Sequence, residues 1–232
     1  MDEFQDISLG RAGLIRALRG QVQGAKLFCV GDDWQSIYRF TGSDISLTTD
    51  FEGYFGPARR TALDRTFRFH DRIAAFSSHF VQRNPRQLRK RLSTAATSDK
   101  LGVVVYRHGE GDDPLPTILA EIAALGAASV FLLGRYGFTA PDDLRALQAR
   151  FPRLNIRFLT AHGSKGLEAD YVVLLGLTSG RHGFPSEVAD DPVLGLVLAD
   201  GEPFAFAEER RLFYVALTRV AAASARWLQI RR

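Results

Sequence analysis

Residues 129–177 read SVFLLGRYGFTAPDDLRALQARFPRLNIRFLTAHGSKGLEADYVVLLGL. Three short, apolar, β-branched runs stand in this stretch: SVFLLGR (129–135), NIRFLT (155–160) and DYVVLLGL (170–177). A helix pattern over about 141–151 separates the first two. Near-continuous apolar strands alternating with amphipathic helices predict a parallel sheet with helices on both faces. Upstream, GVVVYR (102–107) adds a strand and 116–125 a helix. Downstream, a helix over about 206–222 opens with Glu208 and Glu209, favourable beside its N-terminus, and ARWLQI (225–230) adds a last strand. The fold class is therefore α/β.

The first hundred residues read less regularly. The spacing predicts a helix over 7–18, with Ile7, Leu14, Ile15 and Leu18 on one side. KLFCVG (26–31) reads as a buried strand ending in a glycine turn, and RTALDRTF (60–67) holds a short strand. Ile73, Phe76, Phe80 and Val81 recur at helical spacing over 71–82. Residues 84–100 carry Pro85 and the basic Arg86, Arg89, Lys90, Arg91 and Lys100, the pattern of an exposed linker.

Composition bounds the partners. The chain has 232 residues, 46% of them hydrophobic and 24% charged, an ordinary globular balance. Its single cysteine, Cys29, excludes an internal disulfide and a zinc-finger pattern. The opening MDEFQD is acidic where a secretion signal would be basic, so a soluble, cytoplasmic protein is expected. Net charge is +4, with 26 Arg against 4 Lys. Arginine suits bidentate phosphate contact, though a codon bias toward Arg gives the same count.

The polar residues of interest fall beside strand ends, where ligands bind such sheets. Asp2 and Glu3 are adjacent carboxylates, a pair able to divide Mg²⁺ binding from water activation. In VGDDWQSIYRFTGSD (30–44), Gln35 is a candidate phosphate reporter. Tyr38 and Phe40 flank Arg39, which suits base stacking or, equally, core packing; Trp34 reads as packing. Arg68 lies between Phe67 and Phe69, just before a helix, and suits phosphate contact. The turn from Gly163 to Gly166 offers backbone amides to an anion, with His162 and Lys165 as further donors and Glu168 as an acceptor for a sugar hydroxyl. In EERRLFYVALTRV (208–220), Arg219 lies near the helix end, while Arg210 and Arg211 suit pairing with acidic neighbours.

The order of these boxes is more specific than any one of them. DEFQD (2–6), GDDWQSIYRF (31–40), FRFHDRI (67–73), HGSKGLE (162–168) and ERRLFYVALTR (209–219) together resemble motifs II to VI of superfamily 1 helicases of the UvrD/Rep type. GDDWQSIYRFTGSDISLTTDF and FVQRNPRQLRK resemble the helicase IV branch of that family. The 94 residues from Arg68 to His162 leave no room for the large inserted 2B subdomain of UvrD and Rep.

The resemblance implies a RecA-like fold, with residues 1–63 the remnant of domain 1A and 64–232 domain 2A. It implies ATP and Mg²⁺ as cofactors, with Asp2 holding the metal and Glu3 activating the hydrolytic water. Gln35 would sense the γ-phosphate, and Arg68 and Arg219 would act as arginine fingers. Phe67 stands where the family has a tyrosine that stacks on adenine, and Glu168 would contact the ribose. Tyr38, Phe40 and His162 would line the single-stranded DNA track. Thr41 stands where many members have a second arginine. The implied activity is ATP-dependent, 3′-to-5′ unwinding of single-stranded and forked DNA. No G-x-x-x-x-G-K-[ST] phosphate loop occurs in the 232 residues, and GSKG (163–166) lacks its spacing. The expectation is thus a C-terminal helicase piece that needs a missing N-terminal portion and hydrolyses little ATP alone. The alternative is a non-catalytic single-stranded DNA-binding module or a decayed helicase fragment.

Overall fold

The computed structural model describes residues 1–99, 102–109, 111–188, 193, 198, 201–221 and 228–231. In chain order its helices and strands are α1 (Leu9–Gly20), α2 (Ser46–Thr49), α3 (Phe51–Phe55), β1 (Arg65–Thr66), α4 (Asp71–Val81), β2 (Ser93–Thr94), β3 (Val105–His108), α5 (Leu115–Leu125), β4 (Ala128–Gly134), α6 (Leu144–Arg150), β5 (Leu154–Thr160), β6 (Tyr171–Leu174), α7 (Ala207–Leu217) and β7 (Leu228–Arg231). They fall into two compact units. The first comprises residues 1–63 with 81–89 and 189–212; the second comprises 64–80, 90–188 and 213–232. The expected division after residue 63 is therefore joined by two later segments that belong with the first unit.

The second unit holds the expected parallel sheet, in the order β5-β4-β6, with Val130 level with both Ile156 and Tyr171. The central strand β4 is buried from Val130 to Gly134, as a strand covered on both faces must be. On one face, Val130, Leu132, Ile156 and Val173 pack with Ile118, Leu119 and Ile122 of α5 and Leu147 of α6. On the other, Val172 and Leu174 border Ile73, Leu217 and Val220. Asp170 fixes the start of the sheet by accepting from the Ser129 amide (2.8 Å) and hydroxyl (2.7 Å). The predicted strands at 102–107 and 225–230 appear as β3 and β7, paired in parallel; residues 225–227 lie outside the described ones.

The first unit departs further from the sequence reading. Ser8 caps α1 by accepting from the Arg11 amide, and the helix buries Ala12. Leu14 and Leu18, assigned to the apolar side, are exposed. Ile7 and Ile15 of the same set do pack at the small core, so the spacing found the inner side in part and drew it too wide. KLFCVG forms no strand: it is extended, with Leu27 and Cys29 half-buried and Phe28 exposed. Its backbone bonds run to the chain start, from Phe4 N–H to the Val30 carbonyl (2.9 Å) and from Val30 N–H to the Met1 carbonyl (2.8 Å). Phe4, Ile7, Leu47 and Phe55 form the small core, with the Phe4 ring edge-on to Phe51 and Phe55. In α4, Ile73 and Val81 are buried as expected, but Phe76 is exposed and Ser77 takes the inner place. The 84–100 stretch is not a plain exposed linker, since Asn84 and Gln87 are buried and 93–94 form β2. Among the described residues, no helix is long and apolar enough to cross a membrane.

Candidate nucleotide and DNA site

In the first unit, two sequence boxes meet through one side chain. Gln5 is buried in the turn Phe4–Asp6. Its amide donates to the Glu3 carboxylate (2.6 Å), and its carbonyl oxygen accepts from the Asp32 N–H (2.9 Å). Asp32 in turn accepts from the Gln35 amide (2.7 Å) and caps the turn Asp33–Gln35 through the Trp34 N–H (3.1 Å). Glu3, Gln5, Asp32 and Gln35 thus form one hydrogen-bonded line, which brings the candidate water activator and the candidate phosphate sensor together. A side chain at Gly31 would put its Cβ 2.8 Å from the Gln5 carbonyl oxygen, so glycine is what admits this approach. Glu3 lies in the left-handed region (φ 48°), a conformation costly for a non-glycine residue and concentrated at functional positions.

Asp2 is exposed and accepts from the Glu3 N–H (2.9 Å). Among the described residues no group of three or more His, Cys, Asp or Glu is gathered to hold a metal by itself. Asp2 and Glu3 offer adjacent carboxylates, and Mg²⁺ commonly takes one or two, with phosphates and water completing its shell.

The loop after Gln35 is held from below. Asp33 is buried and accepts from the Gln87 amide (2.6 Å) and the Leu88 N–H (2.9 Å). Trp34, wholly buried as packing, donates to the Leu88 carbonyl (3.0 Å). Arg211 is buried; it donates to the Ser36 carbonyl (2.6 Å) and to Gln87 (3.0 Å), and it pairs with Glu202. The expected pairing of Arg211 with an acidic neighbour is thus present, and it also fastens the Gln35 loop. Tyr38 and Phe40 stack edge to face at 5.9 Å, with Phe40 55% exposed. Burial, then the charges of Asp6 and Glu3, raise the Tyr38 hydroxyl, which stays a neutral donor.

In the second unit, Arg68 pairs with Glu168, so the candidate finger and the candidate ribose contact engage each other. Phe67 is 71% exposed, under the Arg65 guanidinium. Arg219, just past the end of α7, is only 1% exposed, and its guanidinium turns back to the Val215 carbonyl (2.9 Å) of that helix. His162 lies half-buried in the turn after β5. That turn is a poor anion cradle: the amides of Gly163, Ser164, Lys165 and Leu167 donate to Thr160, His162 and Ser164 within it.

Sequence reading missed three features. Gln5 stood inside the acidic box, but nothing in its spacing marked it as the link. Asn84 and Gln87 carried no periodic signal. Beyond β4, Tyr136 and Phe138 stack in parallel at 5.1 Å, His182 meets both rings edge-on, and Arg135 lies over Tyr136. These rings come from separate segments, and only the fold assembles them.

Two family models match the chain: the UvrD/REP helicase N-terminal domain over residues 1–56 and the UvrD-like helicase C-terminal domain over residues 140–223. DNA helicase IV of Escherichia coli is 44% identical over 219 residues, covering 94% of this chain and 32% of that protein. A putative ATP-dependent DNA helicase, YjcD of Bacillus subtilis, is 32% identical over 49% of this chain and 15% of its own length. A probable DNA helicase of Mycoplasma pneumoniae is 24% identical over 94% of this chain and 41% of its own length. The chain therefore spans less than half the length of each of these relatives.

Proposed function

For a chain that belongs to the UvrD/Rep-type helicase family, we propose the function of the C-terminal part of an ATP-dependent DNA helicase that translocates 3′ to 5′ on single-stranded DNA and unwinds forks. The observation that carries this reading is the line Glu3–Gln5–Asp32–Gln35, which ties a carboxylate able to deprotonate water to an amide able to report a terminal phosphate. Residues 1–63 would be what this chain holds of domain 1A, and 64–232 domain 2A without a 2B insertion. Its place of action is the cytoplasm, where bacterial DNA lies.

The residues fit the cofactors in this way. Asp2 would hold Mg²⁺, which supplies charge neutralisation at the phosphates. Glu3 orients and accepts the proton of water, while Gln5 holds the Glu3 carboxylate and sets its direction. Phe67 offers an open ring face to adenine. Arg68 and Glu168 exchange their mutual pair for phosphate and ribose. Arg219 must leave the Val215 carbonyl to act as a finger. Tyr38, Phe40 and His162 would line the DNA track, and the Tyr136–Phe138–His182 group of the second unit offers further rings for base stacking. A phosphate-loop lysine and hydroxyl would have to be supplied from elsewhere, since no such loop occurs in these 232 residues.

The test is fluorescence anisotropy of the 232-residue chain with a single-stranded oligonucleotide, beside phosphate release from ATP. Expected are salt-sensitive binding and no turnover. Tyr38→Ala and Phe40→Ala should each weaken binding by about 1–3 kcal/mol, the worth of a stacked base. Unchanged affinity in both variants overturns the DNA track. Turnover by the chain alone that vanishes in Glu3→Gln overturns the need for an external phosphate loop.

A further inference from the structure

The segment that follows α4 has a basic outer side which the nucleotide and single-strand sites do not use. Its backbone makes two successive turns: Asn84 N–H donates to the Val81 carbonyl (3.3 Å), and Gln87 N–H to the Asn84 carbonyl (3.2 Å). Side chains three apart then share a side. Val81, Asn84 and Gln87 face inward and are buried, while Arg83, Arg86 and Arg89 are exposed.

Three features separate this strip from ordinary solvated arginines. The inner side is anchored: Asn84 donates to Glu202 (3.0 Å), Gln87 to Asp33 (2.6 Å), and the Leu88 carbonyl accepts from Trp34. The strip is therefore ordered before any ligand arrives, which lowers the entropy cost of binding. The guanidinium groups of Arg83, Arg86 and Arg89 make no ion pair among the described residues, and no Asp or Glu occurs from Gln82 to Ser98. The same stretch contains no aromatic residue.

We infer that Arg83, Arg86 and Arg89 form a docking strip for the phosphate backbone of duplex DNA. A single strand is held by stacking as well as by charge, and this strip has nothing to stack. A duplex hides its bases and presents phosphates, which unpaired arginines bind without reading sequence. The inference rests on the DNA-directed reading above and adds a second contact, to paired DNA.

The experiment measures binding of the 232-residue chain to duplex and single-stranded oligonucleotides of equal length, from about 50 to 200 mM salt. The variant is R83Q/R86Q/R89Q, with R83K/R86K/R89K as the charge-keeping partner. Emission from the buried Trp34, read in a Trp227→Phe background, checks that the segment still folds. On duplex, the glutamine variant should lower the slope of log affinity against log salt by about one unit per arginine, roughly three in all, and the lysine variant should restore it. Single-strand binding should change less. An unchanged duplex slope overturns the strip. A slope lost only on the single strand overturns the duplex assignment. Absence of any salt-sensitive binding by the unsubstituted chain overturns the strip and the DNA reading together. If the strip fails while Tyr38→Ala still weakens single-strand binding, the functional reading stands without it.

Discussion

The two compact units are stabilised by different means. The second is a parallel sheet whose central strand is buried from Val130 to Gly134, with α5 and α6 covering one face. The first has short turns, a small aromatic core and a buried polar network in which Asp33, Gln87 and Arg211 hold the Gln35 loop. Apolar contacts are non-directional and tolerate adjustment, whereas buried polar groups demand their partners. The rigid sheet suits a scaffold. The polar network suits a loop whose exact setting matters, because its directional hydrogen bonds are made in one arrangement only.

The sharpest way to break this contrast is Arg211→Met. The change leaves Glu202, the Ser36 carbonyl and the Gln87 carbonyl oxygen without their shared donor. Removing one member of a buried pair costs about 3–5 kcal/mol. Hydrogen exchange read peptide by peptide should show protection falling over 31–37 and 84–88 but kept over 128–134 and 154–160. Arg211→Lys should recover only part of the loss, since one ammonium cannot reproduce the planar fork. A uniform fall in protection throughout the chain would mean that the two regions unfold as one, and the contrast would go.

The converse change is Leu132→Ala, at the centre of β4 with no exposed surface. Truncating a buried leucine costs about 3 kcal/mol, within the 2–5 kcal/mol spread for such sites. Here protection should fall over 128–134, 154–160 and 171–174, with the Gln35 loop spared. A loss below about 1 kcal/mol would show that the sheet repacks more freely than its close contacts suggest.

These two variants also mark what the sequence made legible. Leu132 belongs to a run: SVFLLGR is apolar from Val130 to Leu133 and flanked by helix patterns, and its parallel pairing followed from that. The boxes around Glu3, Gln35 and Arg68 were legible as motifs because their residue types recur at fixed spacings. The links between them were not. Gln5 joins Glu3 to Asp32, which lies 27 residues further on, and Arg211 reaches Ser36 across 175 residues. Polar contacts of such separation leave no periodicity, and a buried arginine looks in sequence like an exposed one. Of the apolar set read over 7–18, Ile7 and Ile15 pack at the core while Leu14 and Leu18 stay exposed, because apolar spacing does not say how far around a helix the cover extends.

The smallest expected effect concerns Glu208, half-buried in the first turn of α7. Burial raises its carboxyl above the usual range, opposed by the Arg39 N–H bond (3.0 Å) and by the charges of Arg211 and Arg39. The folded state therefore holds this proton more tightly than the unfolded chain does. Its contribution to stability is fully present below the unfolded value, about 4.3 for glutamate, and is lost as pH rises through the folded value. Glu208→Gln keeps an oxygen for the Arg39 amide and removes the ionisation. Urea midpoints of the two proteins should lie closest at low pH and separate as pH rises past the glutamate range, the variant becoming relatively more stable. Parallel profiles would mean that the bond from Arg39 and the nearby guanidinium groups offset the burial in full. The polar network of the first unit would then accommodate a charge at Glu208 without loss, and its contrast with the sheet would rest on hydrogen-bond direction rather than on desolvation.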